Sequence, residues 1–108
     1  MLRHLLHILI TGFILIMSNP LAANELWIDV RTAEEFNAGH IQDAAHIPYE
    51  EIAARISEVT SDKNASIRLY CRTGRRSGIA LETLQAMGFT NATNEGGYEE
   101  IAQKLARP

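Results

Sequence analysis

The chain has a single cysteine, Cys71, so no internal disulfide can staple its fold. It is short of basic residues too: 10 Lys and Arg against 13 Asp and Glu give a formal net charge of −3. That balance excludes general nucleic-acid binding, which draws on a surplus of Lys and Arg to release counterions from phosphate. Internal repeats, low-complexity tracts and Pro- or Ser-rich linkers are missing, and 108 residues suffice for one domain, so a two-domain architecture is excluded. What is present is ordinary globular composition, 46% hydrophobic and 21% charged, which predicts a packed core and not a disordered, collagen-like or disulfide-scaffold chain. An anion site, if there is one, must be local.

The first residues follow the grammar of an export signal. Met1-Leu2-Arg3-His4 precedes an apolar run over residues 5–17, interrupted by His7, Thr11 and Gly12; then come the breakers Ser18-Asn19-Pro20 and the small-residue ending Leu21-Ala22-Ala23. A membrane anchor is the competing reading, but spanning a bilayer takes about 20 apolar residues and this run has 13. Residues 1–23 are therefore expected to be a cleaved signal peptide. The single domain is then residues 24–108, periplasmic and free of stable membrane association. A domain so small is marginal by size, and without a disulfide it must fold by packing. A lone thiol in an oxidising compartment is either buried and inert or put to use.

Beyond Ala23 the pattern alternates strand and helix. Residues 26–30 predict a strand; Thr32 predicts a helix cap, with Glu35 reaching back to it and a stop near Gly39. His46-Ile47-Pro48 predicts a brief strand closed by proline, and residues 51–59 a helix with Ile52, Ile56 and Val59 on one face. Residues 66–70 predict a strand running into Cys71. Residues 77–87 predict a helix with Ile79, Leu81, Leu84 and Met87 on its apolar side and Gly88 just past its end. Residues 89–93 then predict a strand, Gly96-Gly97 a tight loop, and residues 98–105 a last helix. The fold class is α/β, a central mainly parallel sheet flanked by helices. Ligands of such sheets bind beyond the carboxyl ends of strands, where Cys71 falls.

The stretch Tyr70-Cys71-Arg72-Thr73-Gly74-Arg75-Arg76-Ser77 carries the chemistry. It sets a thiol at a strand end, three arginines in a glycine-containing loop and a helix start just beyond. Loop amides and the first unpaired amides of a helix point into such a cup, and Gly74 lets the backbone turn without a Cβ clash. Arginines at a helix start are disfavoured by the helix dipole unless an anion sits between them. A cysteine in comparable electropositive surroundings has its pKa lowered from about 8.5 to about 3.5–7.5, so Cys71 is expected to be a ready nucleophile. Spacing separates two kinds of cysteine loop. A tyrosine-phosphatase-like loop has its arginine six positions after the cysteine, where this chain has Ser77; here Arg76 falls five positions after it. The tighter cup suits a compact persulfide better than a phosphoryl group, which also speaks against an arsenate reductase.

With Asp29-Val30-Arg31, Gly39-His40-Ile41, Ala45-His46-Ile47-Pro48, the loop from Cys71 to Ser77 and Gly96-Gly97 in order, the sequence resembles the rhodanese (thiosulfate sulfurtransferase) family over nearly all of the chain after Ala23. The resemblance, to the single-domain exported type, implies a rhodanese-like fold with Cys71 as the sulfur-carrying nucleophile. It implies a donor such as thiosulfate and an acceptor that is cyanide, a small thiol or a protein thiol. Substrate binding is expected from Arg72, Thr73, Gly74, Arg75, Arg76 and Ser77. Arg72 or Arg75 would attract the dianionic donor, and Arg76 could instead reach back to a carboxylate and brace the loop. Asp29 and Arg31 are expected to form a structural salt bridge, and His40 and His46 to serve backbone packing. Trp27 is read as core. One Cys and four scattered His match no zinc spacing, so neither a metal nor another cofactor is expected. The alternative to an enzyme is a persulfide carrier or binding module with little small-molecule turnover.

Overall fold

The computed structural model describes residues 25–107, and the expected export segment lies outside the described residues. Four strands, β1 (Glu25–Asp29), β2 (Ala45–His46), β3 (Ser66–Cys71) and β4 (Ala92–Gly97), form an all-parallel sheet in the order β2-β1-β3-β4. Parallel strands must be covered on both faces, because each is joined to the next by a crossover that packs back on the sheet. Helices α1 (Ala33–Ala38), α2 (Ile52–Arg55), α3 (Arg75–Ala86) and α4 (Tyr98–Ala106) supply that cover.

Alternation along the strands splits the interior in two. Ile28, Ile67, Leu69 and Cys71 face one side and join Ile52, Ile56, Ala80, Leu84 and Phe89 in the larger core. Tyr70 faces the other side and packs with Ile41 and Ile101, against which Trp27, Tyr98 and Ala102 are half-buried. Trp27 is thus a packing residue, as its sequence context implied.

The start of α1 follows from its sequence: the Thr32 hydroxyl accepts from the Glu35 backbone N–H while the Glu35 carboxylate accepts from the Thr32 backbone N–H. Just before it, Asp29 and Arg31 form the buried pair foreseen for them. The Asp29 carboxylate accepts from the Arg31 backbone amide, from its Nε and, at 2.6 Å, from its Nη2. Nη2 also donates to the Gly39 carbonyl at 2.7 Å, so one guanidinium ties the end of β1 to the exit of α1.

Several elements depart from the sequence expectation, β1 among them by beginning and ending one residue earlier. The helix expected over residues 51–59 is only α2, flanked by 3-10 turns at Tyr49–Glu51 and Ile56–Glu58. The φ of −53° at Pro48 starts a tight turn whose Glu51 N–H bonds to the Pro48 carbonyl, while Ile52 and Ile56 still reach the core. Strand β2 begins and ends one residue earlier than expected, pairing Ala45 and His46 with Ile28 and Asp29. Helix α3 begins at Arg75 and not at Ser77, and its buried residues are Ser77, Ala80 and Leu84; Ile79 is 37% exposed. Small side chains face the sheet there because the helix start lies close against β3 and β4.

The largest departure is β4, which runs over Ala92–Gly97 and not over residues 89–93. Phe89 is a buried plug beyond Gly88, and Gly96-Gly97 belong to the strand, opposite Tyr70 and Cys71. At Gly97 glycine is demanded by close approach, since a Cβ would lie 2.6 Å from the Arg72 carbonyl oxygen, and at Gly96 by the left-handed φ of +93°. Among the described residues no helix is long and apolar enough to cross a membrane.

Candidate active site

Strand β3 ends at Cys71, and α3 begins four residues later, at Arg75. Gly74, the helix N-cap, has φ +98°, a left-handed conformation that glycine adopts without strain. The turn brings the Gly74 N–H to 3.0 Å from the Cys71 Sγ, to which it donates, and sets the Ser77 hydroxyl 3.4 Å from the same sulfur. Cys71 is fully buried at the floor of this cup, and Ser77 is buried beside it.

Burial alone pushes the Cys71 thiol up, but hydrogen bonds from the Ser77 hydroxyl and from the backbone amides of Ser77, Thr73 and Gly74 outweigh it and bring the pKa down to about 7. Roughly half of the sulfur is then thiolate at neutral pH and about a tenth at pH 6. The rate of Cys71 alkylation by iodoacetamide, followed across pH, is accordingly expected to rise through a midpoint near 7 and level off by about pH 8. A midpoint at the ordinary thiol value, above 8, would show that the cup does not hold the thiolate.

The structure sorts the three arginines. Arg76 forms a two-point pair with Glu35 of α1, at 2.8 and 3.0 Å, which braces the start of α3 against the start of α1. The Arg76 bond, set against the cost of burial and helped by Thr32, holds the Glu35 carboxyl down at about 2. Arg72 and Arg75 are exposed, and among the described residues neither enters a salt bridge. Thr73 is exposed as well. A cleft of about 340 Å³ beside the loop is walled by Arg72, Arg31, Glu35, Gly39, Tyr98 and Glu99. A larger hollow of about 780 Å³ lies elsewhere, against Trp27, Ile41 and Leu105, and includes no residue of the cysteine loop.

His40 and His46 both stack on Phe36, with ring centroids 3.7 and 4.7 Å away. Each ring is hydrogen-bonded to a backbone carbonyl, His40 to Phe36 and His46 to Arg31. One residue of the site escapes sequence reasoning. Asn94 of β4 accepts from Ser77 Oγ at 2.7 Å and from the Gly96 N–H at 3.0 Å, and donates to the Gly74 carbonyl at 2.8 Å. An asparagine in Thr93-Asn94-Glu95-Gly96-Gly97 reads as turn chemistry, and nothing local distinguishes it.

A buried, hydrogen-bonded cysteine at the end of a central parallel strand, cupped by a short loop and a helix start, defines a class of domain. The family model described as "Rhodanese-like domain" matches residues 16–104, and the chain belongs to that family. Among its relatives is the thiosulfate sulfurtransferase PspE of Escherichia coli K12, 44% identical over 88 residues that cover 82% of this chain and 85% of PspE. A sulfurtransferase of Allochromatium vinosum is 37% identical over 83 residues, 75% of this chain and 76% of its own. Among solved structures, an E. coli rhodanese with anions superposes with a TM-score of 0.70 at 45% identity, covering 72% of this chain and 92% of that one. The human single-domain sulfurtransferase TSTD1 superposes with a TM-score of 0.66 at 27% identity, covering 78% and 86% of the two chains.

Proposed function

We propose that the protein is a thiosulfate sulfurtransferase that carries sulfane sulfur on Cys71. The observation that carries this reading is the Cys71 sulfur at the floor of a cup of donors that favour its ionised form. The thiolate attacks the outer sulfur of thiosulfate; a new S–S bond forms, the old one breaks, and sulfite leaves with its electron pair. The terminal sulfur of the resulting persulfide is a compact anion, suited to the same amides of Thr73, Gly74 and Ser77 that hold the thiolate. An acceptor nucleophile, cyanide or a thiolate, then attacks that sulfur, taking it as thiocyanate or a new persulfide and returning the Cys71 thiolate. Arg76, committed to Glu35, braces the loop, and this also weighs against a phosphatase, whose loop arginine must embrace the phosphoryl group.

The reading includes a cleaved signal over residues 1–23 and a periplasmic location, supported by the apolar run and the small-residue ending at Ala23. Intact-protein mass spectrometry after incubation with thiosulfate tests the chemistry. The expected spectrum gains one sulfur atom, and that mass is removed by cyanide or a thiol. Absence of the adduct on protein whose Cys71 is still reduced would reject the reading.

Donor binding is assigned to the unpaired cations. Loss of one exposed charge contact is worth about 1 kcal/mol, so Arg75→Ala is expected to raise the thiosulfate KM about fivefold with kcat nearly unchanged. Steady-state kinetics at fixed cyanide check it, and an unchanged KM would remove Arg75 from the donor site.

A persulfide carrier for a protein thiol is the second reading, favoured by the exposure of Arg72, Thr73 and Arg75 at the mouth of a single-domain cup. Slow cyanide turnover beside fast transfer to a protein thiol would select it.

A further inference from the structure

We propose that Asn94 is a positioning residue for the sulfur chemistry: its amide, brought in from β4, holds the cysteine loop in the shape that surrounds the Cys71 sulfur. The proposal rests on the persulfide reading above and adds to it a residue on the opposite side of the cup. Asn94 stands opposite Leu69 in the sheet, and the register slips by one residue immediately afterwards, so that Gly96 and Gly97 face Tyr70 and Cys71. That irregularity sets the Asn94 side chain against the first turn of α3, where a Cβ on Gly78 would lie 3.4 Å from its Nδ2.

The amide has only one orientation that serves its neighbours. The Gly74 carbonyl can only accept, so the atom 2.8 Å from it is the amide nitrogen; the Gly96 N–H can only donate, so the atom 3.0 Å from it is the amide oxygen. One side chain thereby pins the loop at two points, the Gly74 carbonyl and the Ser77 hydroxyl. The groups that donate to the Cys71 sulfur are the amides of Thr73, Gly74 and Ser77 and the Ser77 hydroxyl. All of them lie within or next to the pinned segment. The charged group that faces the sulfur among the described residues, Arg76, is held from α1 by Glu35 and does not depend on Asn94.

Asn94 also competes with the sulfur, since the Ser77 hydroxyl has one proton for two acceptors, Sγ at 3.4 Å and Oδ1 at 2.7 Å. The two roles predict opposite outcomes. If Asn94 shapes the loop, removing it disorders several donors and the thiolate becomes harder to form. If it only draws off the Ser77 proton, removing it makes the thiolate easier to form.

The test is the pH dependence of Cys71 alkylation by iodoacetamide, which needs no sulfur donor and therefore reads Asn94 even if the sulfurtransferase reading fails. Asn94→Ala is expected to move the midpoint up by roughly one pH unit, cutting the rate at pH 7 about fivefold. Asn94→Asp is isosteric and still accepts from Ser77 and Gly96, but it sets an anionic oxygen against the Gly74 carbonyl, which can only accept. It is expected to move the midpoint further, and it serves if the alanine variant does not fold. Thr93→Ala, on the opposite face of the same strand, is expected to leave the midpoint in place. In sulfur transfer, the two Asn94 variants lower kcat near pH 7 with little change in the thiosulfate KM. A midpoint that is unchanged, or lower, in folded Asn94 variants would overturn the proposal.

Discussion

Cys71→Ser is expected to abolish sulfur transfer from thiosulfate, by at least roughly a thousandfold, while the domain stays folded. Serine at the floor of the cup has a hydroxyl that the surrounding donors cannot ionise near neutral pH, so no nucleophile forms and no persulfide can be carried. The fold survives because the smaller oxygen can still accept from the Gly74 N–H, leaving no buried donor orphaned, and the change in stability is kept to about 1 kcal/mol. Initial rates with cyanide, taken alongside thermal unfolding, measure both halves of the statement. Appreciable turnover by the folded serine variant would remove Cys71 from the mechanism.

The second large effect is on stability. Asp29→Ala is expected to cost about 3–5 kcal/mol, a sizeable share of the 5–15 kcal/mol typical of a whole domain. Asp29 is fully buried and accepts four hydrogen bonds from Arg31, so its removal leaves a guanidinium in the interior with the Gly39 carbonyl and the faces of Tyr98 and Tyr70 as its remaining partners. The cost arises chiefly from the orphaned charge and not from the intrinsic worth of the pair. Replacing both residues, Asp29→Ala with Arg31→Met, should therefore recover a large part of the loss. Urea unfolding of the two variants separates these origins: equal midpoints would show that the pair itself, and not the stranded charge, carries the stability.

Legibility in the sequence followed the range of the interaction. The Thr32–Glu35 box spans three residues and was readable because both partners sit at the spacing that a helix start requires. The passage from β3 through Cys71 to α3 was readable in kind, although the helix began two residues earlier, at the boundary where local signals are weakest. Ile79 illustrates the opposite case. Helical periodicity placed it with Leu84, but the small residues Ser77 and Ala80 are what fit against the sheet, and that choice belongs to packing. Gly96-Gly97 read as a turn because glycine marks turns, left-handed backbone and close approaches alike; the φ of +93° at Gly96 and the Arg72 carbonyl beside Gly97 are set by the tertiary structure.

By itself the sequence determined the α/β class, the parallel arrangement, the placing of Cys71 at a strand end and the family, because each is written in neighbouring residues: alternating strands and helices, a cysteine closing an apolar run, and a loop of counted length. Only the tertiary structure decided which of the three arginines is spent on Glu35, forty-one positions away, and which two stay exposed and outside any salt bridge among the described residues. It alone brought Asn94, twenty positions on, to the Gly74 carbonyl. The physical reason is that charge and hydrogen bonding act through a few ångströms of space. Which distant residues share that space is set by the strand order β2-β1-β3-β4 and its register, which no local pattern encodes.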